Sequence, residues 1–140
     1  MSSWQAYITC LLEDGLCRDA AVVAISPRQI LAARKGGLLE QMTAEEIDTI
    51  LGPDRRSFFT QGLTIGGKRC SVIRDNLLTK GDHTMDIRIK WVDKDNPGYS
   101  LALAKANRVF IIIQGKRGIH GGTLNKKAFQ MADYIRNTGC

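Results

Sequence analysis

Trp4, Tyr7, Ile8, Leu11 and Leu12 fall at i, i+3, i+4, i+7 and i+8, a spacing that lays one apolar stripe along a helix. Ser3 stands at the N-cap position and Asp14-Gly15 supplies the stop. The period then shortens. Ala20 to Ile25 and Gln29 to Arg34 read as the two strands of a hairpin turning about Ser26-Pro27-Arg28, closed by Lys35-Gly36-Gly37. Thr43-Ala44-Glu45-Glu46 is a capping box, in which the Thr hydroxyl takes a free amide while the Glu reaches back. Ile47, Ile50 and Leu51 make the apolar stripe of the short helix that follows, before Gly52-Pro53.

From Leu63 onward the pattern is that of strands: Leu63 to Ile65, Lys68 to Arg74, Thr84 to Val92, Tyr99 to Ala104 and Val109 to Gln114. The connections between them are short and rich in Gly, Asn and Asp, so the strands form an antiparallel meander. In the third run Met85, Ile87 and Ile89 alternate with Asp86, Arg88 and Lys90, which puts two cations on the face opposite the apolar one. Leu124, Ala128, Met131, Ala132 and Ile135 return to helical spacing over Leu124 to Arg136, ended by Asn137-Thr138-Gly139. The order is α-β-β-α, a meander, then α. It predicts an α+β fold, a central antiparallel sheet with helices on its faces, in a single domain over residues 1–140 without repeat or linker.

Composition agrees with a globular chain: of 140 residues, 44% are hydrophobic, 24% are charged and only 3 are proline, which excludes disordered and collagen-like classes. The longest aliphatic and aromatic run, Val109 to Ile113, is far short of the ~20 residues of a membrane span. The N-terminal residues lack the basic and apolar regions of a signal peptide, so a cytoplasmic location is expected. Charge is uneven. Residues 1–70 carry 8 Lys+Arg against 8 Asp+Glu and residues 71–140 carry 12 against 6, so the whole excess of +6 lies in the second half. Such a surface suits an acidic partner: a protein, a phosphorylated lipid or a nucleic acid; a merely solvated basic face fits equally well. Cys10, Cys17, Cys70 and Cys140 form no CxxC and have only His83 and His120 to join them, so no metal site and free thiols are expected.

Little in the sequence points to catalysis. The stretch Gln114 to Gly122 joins a strand to a helix and holds four glycines, the setting of a phosphate loop, but it matches neither GxxxxGK[ST] nor GxGxxG with a following acid, so the glycines are read as serving a tight turn. A Cys70 nucleophile with a His120 base would have to meet across a sheet, and Asp75, Asp82 and Asp93 sit in turn-like contexts. Neither an enzyme nor a cofactor is expected. Trp4 and Tyr7, joined by Tyr134 if the terminal helices pack together, would make an aromatic ridge suited to the preformed shape of a proline-rich ligand. A nucleic-acid face would need aromatics between Arg88 and Lys90, and none appears before Trp91.

Three blocks carry a family resemblance: Ser3-Trp4-Gln5-Ala6-Tyr7; Gly62 through Asp75, reading GLTIGGKRCSVIRD; and Gly115-Lys116-Arg117-Gly118-Ile119-His120-Gly121-Gly122 with Asn125-Lys126-Lys127. On these the chain resembles the profilins of the animal type over essentially its whole length. The resemblance implies a sheet with the two terminal helices on one face and shorter helices on the other. It implies binding of monomeric actin at its barbed end, faster exchange of actin's nucleotide, delivery of actin to filament ends, and binding of phosphatidylinositol 4,5-bisphosphate in competition with actin. The implied actin-facing positions are Arg69, Val72, Arg74, Arg88, Lys90, Ile119, His120, Gly122, Asn125, Lys126 and Phe129, and the implied lipid-binding cations are Arg69, Arg88, Lys90, Lys126 and Arg136. Asp82, Ser100, Phe129 and Gln130 stand where Glu, Asn, Tyr and Glu are usual. The proline-rich site of such proteins uses aromatic groups at positions that match Trp4, Tyr7, Leu31, Tyr134 and Cys140; two of the five are not aromatic here, so a weakened site is expected. The alternative is a basic module that binds phosphoinositide membranes or nucleic acid without acting on actin.

Overall fold

The computed structural model describes residues 4–89 and 98–140, and the chain order in it is α1 (Trp4–Glu13), β1 (Cys17–Ala24), β2 (Gln29–Ala33), a 3-10 turn (Leu39–Gln41), α2 (Ala44–Leu51), α3 (Phe58–Gln61), β3 (Leu63–Ile65), β4 (Lys68–Asn76), β5 (Thr84–Ile89), β6 (Ser100–Lys105), β7 (Val109–Gly115) and α4 (Gly121–Asn137). The strands form one antiparallel sheet in the order β2-β1-β7-β6-β5-β4-β3. Ser3, Lys90, Trp91 and Asp93, with the expected end of the third run at Val92, lie outside the described residues.

Alternation along each strand divides the core in two. Ala21, Val23, Met85, Ile87, Leu101, Leu103, Phe110 and Ile112 face the layer of α2 and α3, where Ile47, Ile50 and Phe58 cover them. Ala20, Val22, Ala102, Ala104, Ile111 and Ile113 face Ile8 and Leu11 of α1 and Leu124, Ala128, Ala132 and Ile135 of α4. Alanines stand on both sides of the contact between α4 and β6, so backbone can approach backbone closely there. The strands β1, β6 and β7 are covered on both faces, which is why they read as nearly continuous apolar runs.

The differences from the expected elements have local causes. The helix α3 is a single turn, too short to show a period; it ends at Gly62, whose φ of +67° requires glycine and whose added Cβ would stand 2.3 Å from the Cys70 carbonyl. The helix α4 begins at Gly121, three residues before the first apolar position, because His120 caps it while two glycines conceal the start. The strand β1 begins at Cys17 and is bulged at Arg18. The capping box forms as expected, and Glu46 does more than close it: its carboxylate also accepts the amides of Gly66 at 2.9 Å and Gly67 at 3.0 Å, fastening α2 to the β3–β4 turn. Burial raises the pKa of Glu46, yet the amides of Gly67, Thr43 and Gly66 and the hydroxyl of Thr64 leave it below the usual value.

Candidate functional site

A bulge in β4 between Val72 and Arg74 sets the exposed face of the sheet. Val72 turns into the core beneath α2 and α3 and is 7% exposed, whereas Ile73 is thrown out to 61% exposure. Val72, expected among the contact residues, thus has its side chain on the wrong side of the sheet, and Ile73, which sequence patterning passed over, takes the open position. No periodicity announces a bulge, so the exchange was not legible in the chain.

On the two sides of the bulge Ser71 pairs with Arg88 and Arg74 with Asp86, and β5 presents Asp86 and Arg88 on the face opposite Ile87. The Asn125 Nδ2 donates to Asp86 Oδ1 at 2.8 Å and to Thr84 Oγ1 at 3.1 Å, which locks the first turns of α4 to β5. Arg88 donates to Ser100 Oγ at 3.2 Å. His120 Nδ1 accepts the Gly122 amide at 3.0 Å, so the imidazole serves as the helix cap. Together Ile73, Asp86, Arg88, Ser100, Ile119 and His120, with Gly122, line a groove of about 560 Å³. Lys126 and Phe129, one turn apart on α4, are exposed beside it.

The remaining expected residues scatter around this groove. Arg74 makes an ion pair with Asp82 at 2.6 Å, and Arg69 donates to the Gln61 carbonyl at 3.1 Å. Arg136 is ten residues beyond Lys126 on α4, about 15 Å along the axis, where it donates to the Lys105 carbonyl and pairs with Asp133 at 3.7 Å. Arg136, expected among the lipid-binding cations, therefore stands apart from Lys126. Lys90 lies outside the described residues.

Catalytic geometry is not assembled among these groups. Cys70 is fully buried in the core below α2 and α3, and that burial pushes its thiol up to about 12, while His120 stands at the start of α4 on the opposite face. Asp75 is held by Arg55 and Asp82 by Arg74. Among the described residues no group of three His, Cys, Asp or Glu is placed to hold a metal ion.

The aromatic ridge forms on the outer surface of α1 and α4. Trp4 and Tyr7 have ring centroids 5.3 Å apart at 36°, and Tyr7 and Tyr134 6.3 Å apart at 54°. A cavity of about 550 Å³ adjoins it, lined by Tyr7, Cys10, Gln130, Met131 and Tyr134 among others. Leu31 is exposed in β2, and Cys140 packs against the α1–α4 layer after its amide donates to Ile135 O at 3.3 Å. Cys10 is a free, exposed thiol here because its register, two residues past Ile8, lies off the apolar stripe of α1.

Known proteins share this architecture. Residues 2–140 match the family model Profilin. Profilin-2 of Rattus norvegicus is 49% identical over 140 residues, and Profilin-1 of Homo sapiens 41%, each covering 99% of both chains. The structure of mouse profilin IIa in complex with a double repeat from the FH1 domain of mDia1 superposes with a TM-score of 0.95 at 48% identity, covering 99% of this chain and 100% of that one. The seven-stranded antiparallel sheet between paired terminal helices and shorter opposing ones is the arrangement those proteins share, and on fold, sequence and extent of match the chain belongs to the profilin family.

Proposed function

We propose that this chain, as one profilin domain, binds monomeric actin one-to-one in the cytoplasm through the groove between β5 and α4, with Arg69, Arg74, Arg88, Lys90, Ile119, His120, Gly122, Asn125, Lys126 and Phe129 as its contact set and Ile73 added to it. Profilins are actin-binding regulators, and one observation supports the reading here: the Asn125 bonds to Asp86 and Thr84 hold Lys126 and Phe129 beside Arg88 and Ile73, so cations and exposed apolar groups share one preorganised face. Such a face suits an acidic protein surface with an apolar centre.

On this reading the chain accelerates nucleotide exchange on actin by favouring a more open cleft, supplying binding energy and no catalytic side chain. The basic positions of the face also take phosphatidylinositol 4,5-bisphosphate, which competes with actin there. Trp4, Tyr7 and Tyr134 take proline-rich ligands weakly; the complex of mouse profilin IIa with an FH1 double repeat supports the ligand class. Pyrene-actin assembly with increasing amounts of the protein tests the central claim. Slower spontaneous assembly, with faster release of etheno-ATP from monomeric actin, is expected. Unchanged assembly refutes it.

A further inference from the structure

Thr84 is the one residue of β5 that is both polar and buried, at 2% exposure, and it stands outside the contact set proposed above. Its hydroxyl has a single hydrogen, which it donates to Asp82 Oδ1, and its oxygen accepts from Asn125 Nδ2 at 3.1 Å. The same nitrogen has a second hydrogen for Asp86 Oδ1 at 2.8 Å. Asp82 receives Arg74 Nη2 on its other oxygen, Oδ2, at 2.6 Å. Every hydrogen of the hydroxyl and of the carboxamide nitrogen is therefore used once, in a chain that runs from Asn125 through Thr84 to the carboxylate that Arg74 grips.

Strand register explains why these residues meet. Thr84 and Asp86 are two apart on β5, so they share a face and one carboxamide reaches both. Arg74 pairs with Asp86 across the β4–β5 ladder, while its side chain turns to Asp82 in the connection between those strands. On the other flank Thr84 pairs with Ala104, whose small side chain belongs to the layer under α4 and lets the helix approach. Asn125 is followed by Lys126, and Phe129 lies one turn further along the same face of α4.

We propose, on the strength of the actin face assigned above, that Thr84 is a positioning residue for that face. Its hydroxyl ties Arg74, on the β4 side, to Lys126 and Phe129, on the α4 side, and holds the two halves in one arrangement before a partner arrives, which lowers the ordering cost of binding. Buried as it is, Thr84 acts through its neighbours. Asn125 keeps its bond to Asp86 without the hydroxyl, so α4 stays docked while the link between the halves is cut. Valine keeps the shape of the side chain and removes the chemistry: Asp82 loses a donor, and one Asn125 hydrogen loses its acceptor.

The wild type, Thr84→Val and Thr84→Ser are compared in two measurements, with Thr84→Ala taking the place of Thr84→Val if the latter does not fold. The first is side-chain NMR of the free protein. The Asn125 Nδ2 and Arg74 Nε signals are expected to move in Thr84→Val and to stay near their wild-type positions in Thr84→Ser. The second is affinity for monomeric actin, from inhibition of spontaneous pyrene-actin assembly, expected to fall about tenfold in Thr84→Val and to stay within about twofold in Thr84→Ser. A purely structural role lowers the urea midpoint and leaves the actin affinity of the folded protein unchanged. An active wild type with an equally active Thr84→Val, unmoved Asn125 and Arg74 signals, or a Thr84→Ser as weak as Thr84→Val overturns the positioning role alone. A wild type that leaves actin assembly unchanged overturns the actin reading and this role together.

Discussion

Asn125 on α4 donates to the carboxylate of Asp86 on β5 at 2.8 Å, and this bond sets the position of the next residue, Lys126, over the exposed face of the sheet. Lys126 itself is exposed and packs against nothing that the fold requires. Lys126→Glu is expected to leave thermal unfolding unchanged while weakening actin binding by about 2–5 kcal/mol if the ammonium meets a buried carboxylate on the partner. Spontaneous pyrene-actin assembly reads this directly; inhibition equal to the wild type would remove Lys126 from the interface.

Proline-rich binding should respond to restored rings. Leu31 is exposed on β2, and Cys140 ends the chain against the α1–α4 layer to which Trp4 and Tyr7 also pack. A stacked aromatic contributes roughly 0.5–1.5 kcal/mol beyond its burial, so Leu31→Trp with Cys140→Tyr is expected to tighten a proline decamer by one to two orders of magnitude, about 1.4 kcal/mol per tenfold. Tryptophan fluorescence titration measures it. No gain would show that the groove runs elsewhere.

The pair Arg55–Asp75 should be the most sensitive polar contact of the fold. Arg55 grips both oxygens of Asp75 at 2.8 Å, stacks over Phe58 at 4.8 Å, and Asp75 also accepts the Leu77 amide at 3.2 Å with its side chain 4% exposed. Asp75→Ala leaves a half-buried guanidinium without its partner, and a loss of about 3 kcal/mol is expected in urea denaturation. A loss no greater than that of an exposed ion pair, ~0.5 kcal/mol, would contradict the assigned role.

Two carboxylates should give opposite pH signatures. Burial raises the pKa of Asp19 above 3.8, even though the amides of Leu39 and Ala20 and the nearby Arg34 pull it down. A raised folded pKa means the folded state holds the proton more tightly, so the contribution is complete below the unfolded value and is lost as pH rises through the folded one. Glu46 is held below 4.5, so its contribution is present above that value and lost as pH falls through the folded pKa. Relative to Asp19→Asn, the wild type should lose stability as pH rises from ~4 toward neutrality. Relative to Glu46→Gln, it should lose stability as pH falls below ~4.5. Guanidinium unfolding across that range checks both slopes, and slopes of the same sign would refute one assignment.

Much of this was legible in the chain, and the rest was hidden for identifiable reasons. The stripe from Trp4 to Leu12, the capping box at Thr43 and the alternation Met85-Asp86-Ile87-Arg88 each depend on neighbours a few residues apart, and each recurs in the structure. The short helix Phe58–Gln61, the glycine-masked start of α4 and the two bulges have no such local signature. The exchange of Val72 for Ile73 follows from one of those bulges.

Side-chain period and turn chemistry act over a few residues, so composition and spacing alone carried the α+β class, the strand meander, the basic second half and the three motif blocks. Which residues meet was settled by strand order and packing. Arg34, Arg18, Lys116 and Tyr99 come from four distant segments and line one pocket because β2, β1, β7 and β6 end side by side, and Tyr134 reaches Tyr7 because alanines bring α4 down onto β6 next to α1. Those juxtapositions arise from burying both faces of the sheet at once, a condition imposed on the whole chain, and no short window of sequence contains it.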